Sequence, residues 1–67
     1  MVDPLITYSA TVTYFLAGEL KDYTGSFSGM NSEEAILAAR LFVTRYLRPN
    51  YIESAKINTT EAVVVLS

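Results

Sequence analysis

A regular alternation between Ile6 and Leu16 constrains the fold of this chain more than any other feature. Apolar or aromatic side chains occupy the even positions, and threonine or serine occupies the odd positions up to Thr13, with Phe15 as the exception. A period of two with β-branched and aromatic residues is typical of a β-strand that buries one face. The stretch therefore predicts a strand over residues 5–17 that forms the centre of a small sheet.

The next stretch of chain pairs with this strand in one register. A second strand is predicted for residues 19–28, joined to the first by a tight turn at Ala17-Gly18. Apolar side chains such as Val12 and Tyr23 then share one face, and hydroxyl side chains share the other. Because a slip of one residue would mix the two faces, the sequence specifies this register.

A helix is predicted for residues 32–48. Asn31 is the expected N-cap, and with Glu34 it resembles a capping box. Pro49 is expected to end the helix. At about 100° per residue, the side chains that gather on the sheet side of the helix are Ala35, Ile36, Ala39, Phe42, Val43 and Tyr46.

The C-terminal stretch has two interpretations. The favoured one is a strand over residues 51–57, a turn at Asn58-Thr59-Thr60 and a last strand over residues 61–66; the alternative is one long bent strand from Ile52 to Leu66. The run Ala62–Leu66 does not alternate, so it is either a central strand buried on both faces or an edge strand open to another chain.

The predicted architecture is a single domain over residues 1–67. It is an α+β two-layer sandwich with the order β-β-α-β(-β), in which one helix packs on one face of a mainly antiparallel sheet. The expected strand order is 2-1-3, or 2-1-3-4 if a fourth strand forms, with the first strand in the centre.

Composition argues against several functions. The chain has no cysteine and no histidine, so the commonest nucleophiles, bases and metal ligands are missing; we expect no enzyme, no cofactor and no metal. A net charge of −2 argues against nucleic acid as the main partner. The sequence shows no signal peptide and no apolar run of membrane-spanning length, which predicts a cytoplasmic protein without membrane contact.

Two surfaces are expected to bind a protein partner. Leu37 and Leu41 stand one turn apart on the back of the helix, near arginines that would form an interface rim. The last strand offers valines to another chain, and a domain this small gains stability from a second copy of itself. The residues predicted to bind a partner are Leu37, Leu41, Arg45, Arg48, Val63, Val64 and Val65.

The β-β-α layout, with a helix that opens Ser-Glu-Glu-Ala after a hairpin, resembles that of many small phage and mobile-element proteins. The resemblance implies a phage-type accessory or inhibitor protein that binds a host protein. The sequence thus predicts a non-catalytic, homodimeric protein-interaction module that acts stoichiometrically on a protein partner. The alternatives are a nucleic-acid-binding or regulatory protein and a structural self-assembling subunit. The first would use a basic patch at the helix C-terminus, with Tyr51 nearby for stacking; the patch consists of Arg40, Arg45, Arg48 and Lys56.

Overall fold

A computed structural model describes residues 3–66, with side chains described for residues 5–63. It shows one antiparallel sheet of three strands with a helix on one face, which confirms the predicted α+β sandwich. The strand order is β2-β1-β3, so β1 is central as expected. The elements are β1 (Asp3–Leu16), β2 (Glu19–Gly29), helix α1 (Ser32–Phe42), a π-helical turn (Val43–Leu47) and β3 (Tyr51–Leu66).

The hairpin of β1 and β2 has the predicted register. Val12 pairs with Tyr23, and Leu16 pairs with Glu19 at the turn. The two turn residues, Ala17 and Gly18, have φ values of 53° and 81°. Two-residue hairpin turns with both central residues at positive φ match the twist of the flanking strands, which explains why the turn fixes the register.

The favoured interpretation of the C-terminal stretch is wrong, because residues 51–57 and 61–66 belong to the single strand β3. The pairing with β1 shifts by one residue at three places, which leaves Glu53, Asn58 and Glu61 as extra residues on β3. A β-bulge accommodates an extra residue in an antiparallel pair without ending the strand. The polar residues expected to form a turn are therefore absorbed by bulges.

The N-terminus of α1 is capped as predicted. The backbone N–H of Glu34 donates to Asn31 Oδ1 (3.0 Å), and the backbone N–H of Met30 donates to Glu34 Oε1 (2.8 Å). In a standard capping box the Glu34 carboxylate would accept from the backbone N–H of the N-cap, Asn31; here it accepts from the N–H of Met30, the residue before the cap. Together the two bonds fix the point at which the chain leaves β2 and enters the helix.

Replacement of Asn31 by alanine is expected to lower the free energy of unfolding by about 1 kcal/mol, because one N–H of the first turn loses its acceptor. Ser32→Ala is the matched control, since the side chain of Ser32 makes no described hydrogen bond in the cap. Urea unfolding monitored by circular dichroism measures both variants. An equal loss in the two variants would contradict the capping role of Asn31.

The end of the helix differs from the prediction. The last turn is π-helical, and the N–H of Arg48 donates to the carbonyl of Val43 (3.2 Å). A π-helical turn contains more residues than an α-helical turn, so the next side chain that faces the sheet comes later in the sequence. As a result Tyr46, predicted to face the sheet, is 68% exposed, and Leu47 packs against the core in its place.

The core is small and lies between β1 and the helix. It consists of the even-numbered residues of β1 from Tyr8 to Tyr14 and three helix residues, of which Ala35 and Ala39 let the helix lie close to the sheet. The molecule measures 47 × 19 × 14 Å, and its radius of gyration of 13.0 Å exceeds the roughly 11 Å of a compact domain of this length. The buried apolar residues within residues 5–63 are Tyr8, Ala10, Val12, Tyr14, Ala35, Ala39 and Val43.

Candidate interaction surfaces

The helix presents one continuous stripe of side chains away from the sheet. Glu33, Leu37, Leu41 and Arg45 follow one another at intervals of four residues, and all are exposed. Residues spaced by four lie on the same side of a helix, one turn above another. The leucines are 60% and 66% exposed. We call these four residues the helix stripe; it carries an acid at its N-terminal end, two leucines in the middle and a base at its C-terminal end.

Arg48 does not belong to the helix stripe. It is the C-cap of the π-helical turn and has a left-handed backbone, with φ 49° and ψ 57°. Arg45 lies within that turn and remains on the helical surface. Both arginines are exposed, but the structure separates them into a residue of the helical face and a residue of the loop that leads to β3.

The β3 strand lies at the edge of the sheet, so the run Ala62–Leu66 belongs to an edge strand and not to a central one. Its first part contains the three bulges, which make an edge irregular and discourage pairing with another strand. The segment Ala62–Leu66 pairs with β1 without a bulge and contains no charged residue. We call Ala62–Leu66 the β3 edge segment.

Apolar residues dominate the β3 edge segment. Val63 is 57% exposed and pairs with Ile6 on the face that carries the helix. Val64 and Val65 pair with Leu5 and Pro4 through the backbone, and their side chains lie outside the described residues. The pairing of β1 with β2 stops at Ile6, so β1 and β3 continue beyond it as a two-stranded ribbon.

The sheet face opposite the helix is covered by hydroxyl side chains that bind one another. Thr11 Oγ1 lies 2.8 Å from Thr24 Oγ1, and Thr13 Oγ1 donates to Asp22 Oδ1 (2.8 Å). The bulge residue Asn58 donates from Nδ2 to Thr11 Oγ1 (2.7 Å). Cross-strand pairs of this kind stabilise a sheet. These side chains therefore have a structural role that requires no ligand.

Sequence reasoning missed an apolar row at the hairpin end of that same face. The rings of Phe15 and Tyr51 stack with their centroids 5.4 Å apart and an interplanar angle of 11°, and Leu20 is the β2 partner of Phe15. The available signal was Phe15 itself, the one break in the alternation. Because Tyr51 is stacked on Phe15, one face of its ring is already occupied by a protein side chain.

Neither a cavity nor a cluster of potential metal ligands occurs within the part of the chain that the structure describes. Over residues 3–66, no helix has the length and apolar character needed to cross a membrane. Among the described residues, the one ion pair joins Lys21 and Glu19 at 3.7 Å on the exposed hairpin. Comparison with known protein families, curated proteins and solved structures finds no match for this chain.

Proposed function

We propose that this chain is a small, non-catalytic protein-interaction module that works as a homodimer and binds a protein partner in fixed stoichiometry. One observation carries the proposal: the chain leaves more large apolar side chains exposed than it buries. Within residues 5–63, the seven buried apolar residues include three alanines, whereas eight large apolar side chains are exposed. The exposed ones are Leu5, Leu20, Met30, Leu37, Leu41, Tyr46, Tyr51 and Val63.

Exposed apolar surface of this extent is typical of a protein that completes its burial against another chain. A domain of this size has a thin margin of stability on its own. Binding to the folded state adds stability by mass action, so a partner would compensate for the small core. The small core and the exposed apolar side chains therefore support a function in binding another protein.

The β3 edge segment is the surface that we propose for the protein partner. An extended segment of another protein can add a strand to an open sheet edge, where main-chain hydrogen bonds supply affinity. The bulges restrict such pairing to Ala62–Leu66. Glu61 directly precedes this segment and is the charged residue next to it; its carboxylate accepts a hydrogen bond from Ser26 of β2. An apolar strand flanked by lysine or arginine would match this charge.

The β-β-α layout favours a phage-type accessory or inhibitor protein as the biological role of this interaction module. A self-assembling subunit joined edge to edge through β3 is the second candidate, because the strand lies at the sheet edge.

The test of the proposed function is capture of a partner from the native host by the full chain and by two matched variants. Val63→Lys places a charge on the β3 edge segment, whereas Leu20→Lys places one on β2, the opposite edge strand. Both residues are 57% exposed, so the two substitutions should affect folding similarly. We expect Val63→Lys to weaken capture at least about tenfold, because a strand that pairs there must bury the added charge.

Leu20→Lys is expected to leave capture unchanged. Amide hydrogen exchange should also slow in Ala62–Leu66 when the captured partner is bound, because its strand would shield those amides. Capture that is equally sensitive to both variants, or unchanged exchange in this segment, would contradict the proposed binding surface. Assembly into species larger than a dimer without a partner would favour the self-assembling subunit.

A further inference from the structure

We propose that the helix stripe is the homodimer interface and that two copies of the chain pack there with their helices antiparallel. The inference deepens the proposed function, because it assigns the surface through which the module dimerises. The occupant of the stripe is therefore a second copy of this chain, related to the first by a two-fold axis. Such isologous contacts use the same patch on both subunits.

The spacing of the helix stripe makes it self-complementary in one orientation. If Leu37 of one copy faces Leu41 of the other across a two-fold axis, then Glu33 of each copy faces Arg45 of the other. Each contact occurs twice, so four leucines form an apolar centre between two acid–base pairs. A parallel arrangement in the same register would place Glu33 against Glu33 and Arg45 against Arg45. The charges therefore select the antiparallel arrangement, as flanking charges do in coiled coils.

The charged ends of the stripe are available for contacts between copies. Neither Glu33 nor Arg45 takes part in the one ion pair found among the described residues. The neighbouring Glu34 is different, because its carboxylate accepts from the Met30 N–H in the cap. The stripe thus presents an unused acid and an unused base at opposite ends of a leucine pair, and a second copy turned by two-fold symmetry supplies the opposite order of charges.

The apolar centre has the composition of an interface core. The leucines are more exposed than any other leucine or valine among residues 5–63. Interfaces place apolar residues in the centre and polar residues at the rim, which is the order found along the stripe. The contact between two short helices is small, so we expect a dissociation constant in the micromolar range, about that of transient interfaces.

The first test compares two double variants by sedimentation equilibrium. Leu37→Asp with Leu41→Asp should raise the dissociation constant of the dimer at least about a hundredfold, because charges would be buried in its centre. Leu20→Asp with Met30→Asp is the control, with two comparably exposed apolar residues outside the stripe. The control should shift the constant less than about threefold. Circular dichroism verifies that both variants remain folded, and equal effects of the two would overturn the proposal.

The second test exchanges the charges. Arg45→Glu alone should weaken the dimer about tenfold, because each copy would then present acids at both ends of the stripe. Combining it with Glu33→Arg restores opposite charges and should restore most of the affinity. A double variant as weak as the single one would overturn the assigned pairing.

A cysteine cross-link reports the orientation directly, since the chain contains no cysteine. In an oxidised mixture of Leu37→Cys and Leu41→Cys proteins, antiparallel packing predicts that the mixed disulfide forms in preference to either symmetric one. A preference for the symmetric disulfides would overturn the antiparallel arrangement. Partner capture, measured with the helix-stripe variants, separates the proposed dimer interface from the proposed partner site. If capture survives loss of the dimer, the β3 edge segment remains the partner site. That result would contradict only the idea that partner binding requires dimerisation.

Discussion

Replacement of Ala39 by leucine is expected to remove most of the free energy of unfolding of the chain. Ala39 is fully buried in the core cluster that the helix forms with β1. Three added carbon atoms have no space there, and overpacking of a core costs about 3 kcal/mol when the helix must move away. A core in a domain this small supplies only about 3–5 kcal/mol of net stability, so the loss is comparable to the whole margin.

Ala38→Leu is the control for this prediction, because it makes the same change one residue earlier, on a part of the helix that is only partly covered. Leucine and alanine are both good helix formers, so propensity does not separate the two variants. Thermal unfolding at equal protein concentration should show a fall in Tm of roughly 15 °C for Ala39→Leu and of less than about 5 °C for Ala38→Leu. Equal Tm values would contradict the close contact between helix and sheet.

Deletion of Lys56 is expected to destabilise the chain far more than deletion of Asn58. Asn58 is an extra residue between Ile57 and Thr59, which pair with the adjacent residues Ala10 and Ser9. Its removal closes a bulge and leaves every other side chain of β3 on its present face. Removal of Lys56, which pairs with Thr11, moves Ile57 into that pairing position, where its side chain faces the polar side of the sheet. Asn58 then takes the position of Ile57 opposite Ala10, and the residues from Thr59 onward keep their present faces.

The cost of the Lys56 deletion combines two effects. Ile57 loses its contact with the core, and the Asn58 amide takes its place there, for a total of about 3 kcal/mol. Deletion of Asn58 loses its hydrogen bond to Thr11 and should cost about 1 kcal/mol. Urea unfolding of the two deletion variants measures the difference. The reverse order would indicate that Asn58 belongs to a turn between two strands and would contradict the single strand β3.

The hairpin and the helix could be predicted from the sequence because each depends on local patterns. The alternation of β1 defines two faces, and only one register of β2 preserves them. Asn31 and Glu34 specify the start of the helix, and Ala35 and Ala39 mark its contact side. In each case the local signal and the tertiary packing require the same arrangement.

The C-terminal strand could not be predicted in the same way, because turns and bulges use the same polar residues. Whether Asn58 turns the chain or bulges depends on whether β1 continues as a partner on both sides of it, which is a property of the whole sheet. The position of Tyr46 required knowledge of a π-helical turn, which depends on a shift of backbone hydrogen bonds. Neither feature has a distinct signature in the side chains.

The candidate surfaces were predictable as apolar positions, but their arrangement was not. The spacing of Leu37 and Leu41 already placed them on the outside of the helix. The β3 edge segment could be located only once the sheet order and the bulges were known. The row formed by Phe15, Leu20 and Tyr51 joins three strands, so its members are neighbours only in the folded sheet.

The most direct test of a dimeric interaction module is the mass of the unmodified chain in solution. Sedimentation equilibrium from about 1 μM to about 1 mM spans the dissociation constants expected for a small interface. We predict a concentration-dependent rise from the 7.4 kDa of one chain to twice that mass, with weaker association at high salt because Glu33 and Arg45 contribute to the contact. A mass of 7.4 kDa throughout this range would contradict the dimer and the interface assigned to the helix stripe.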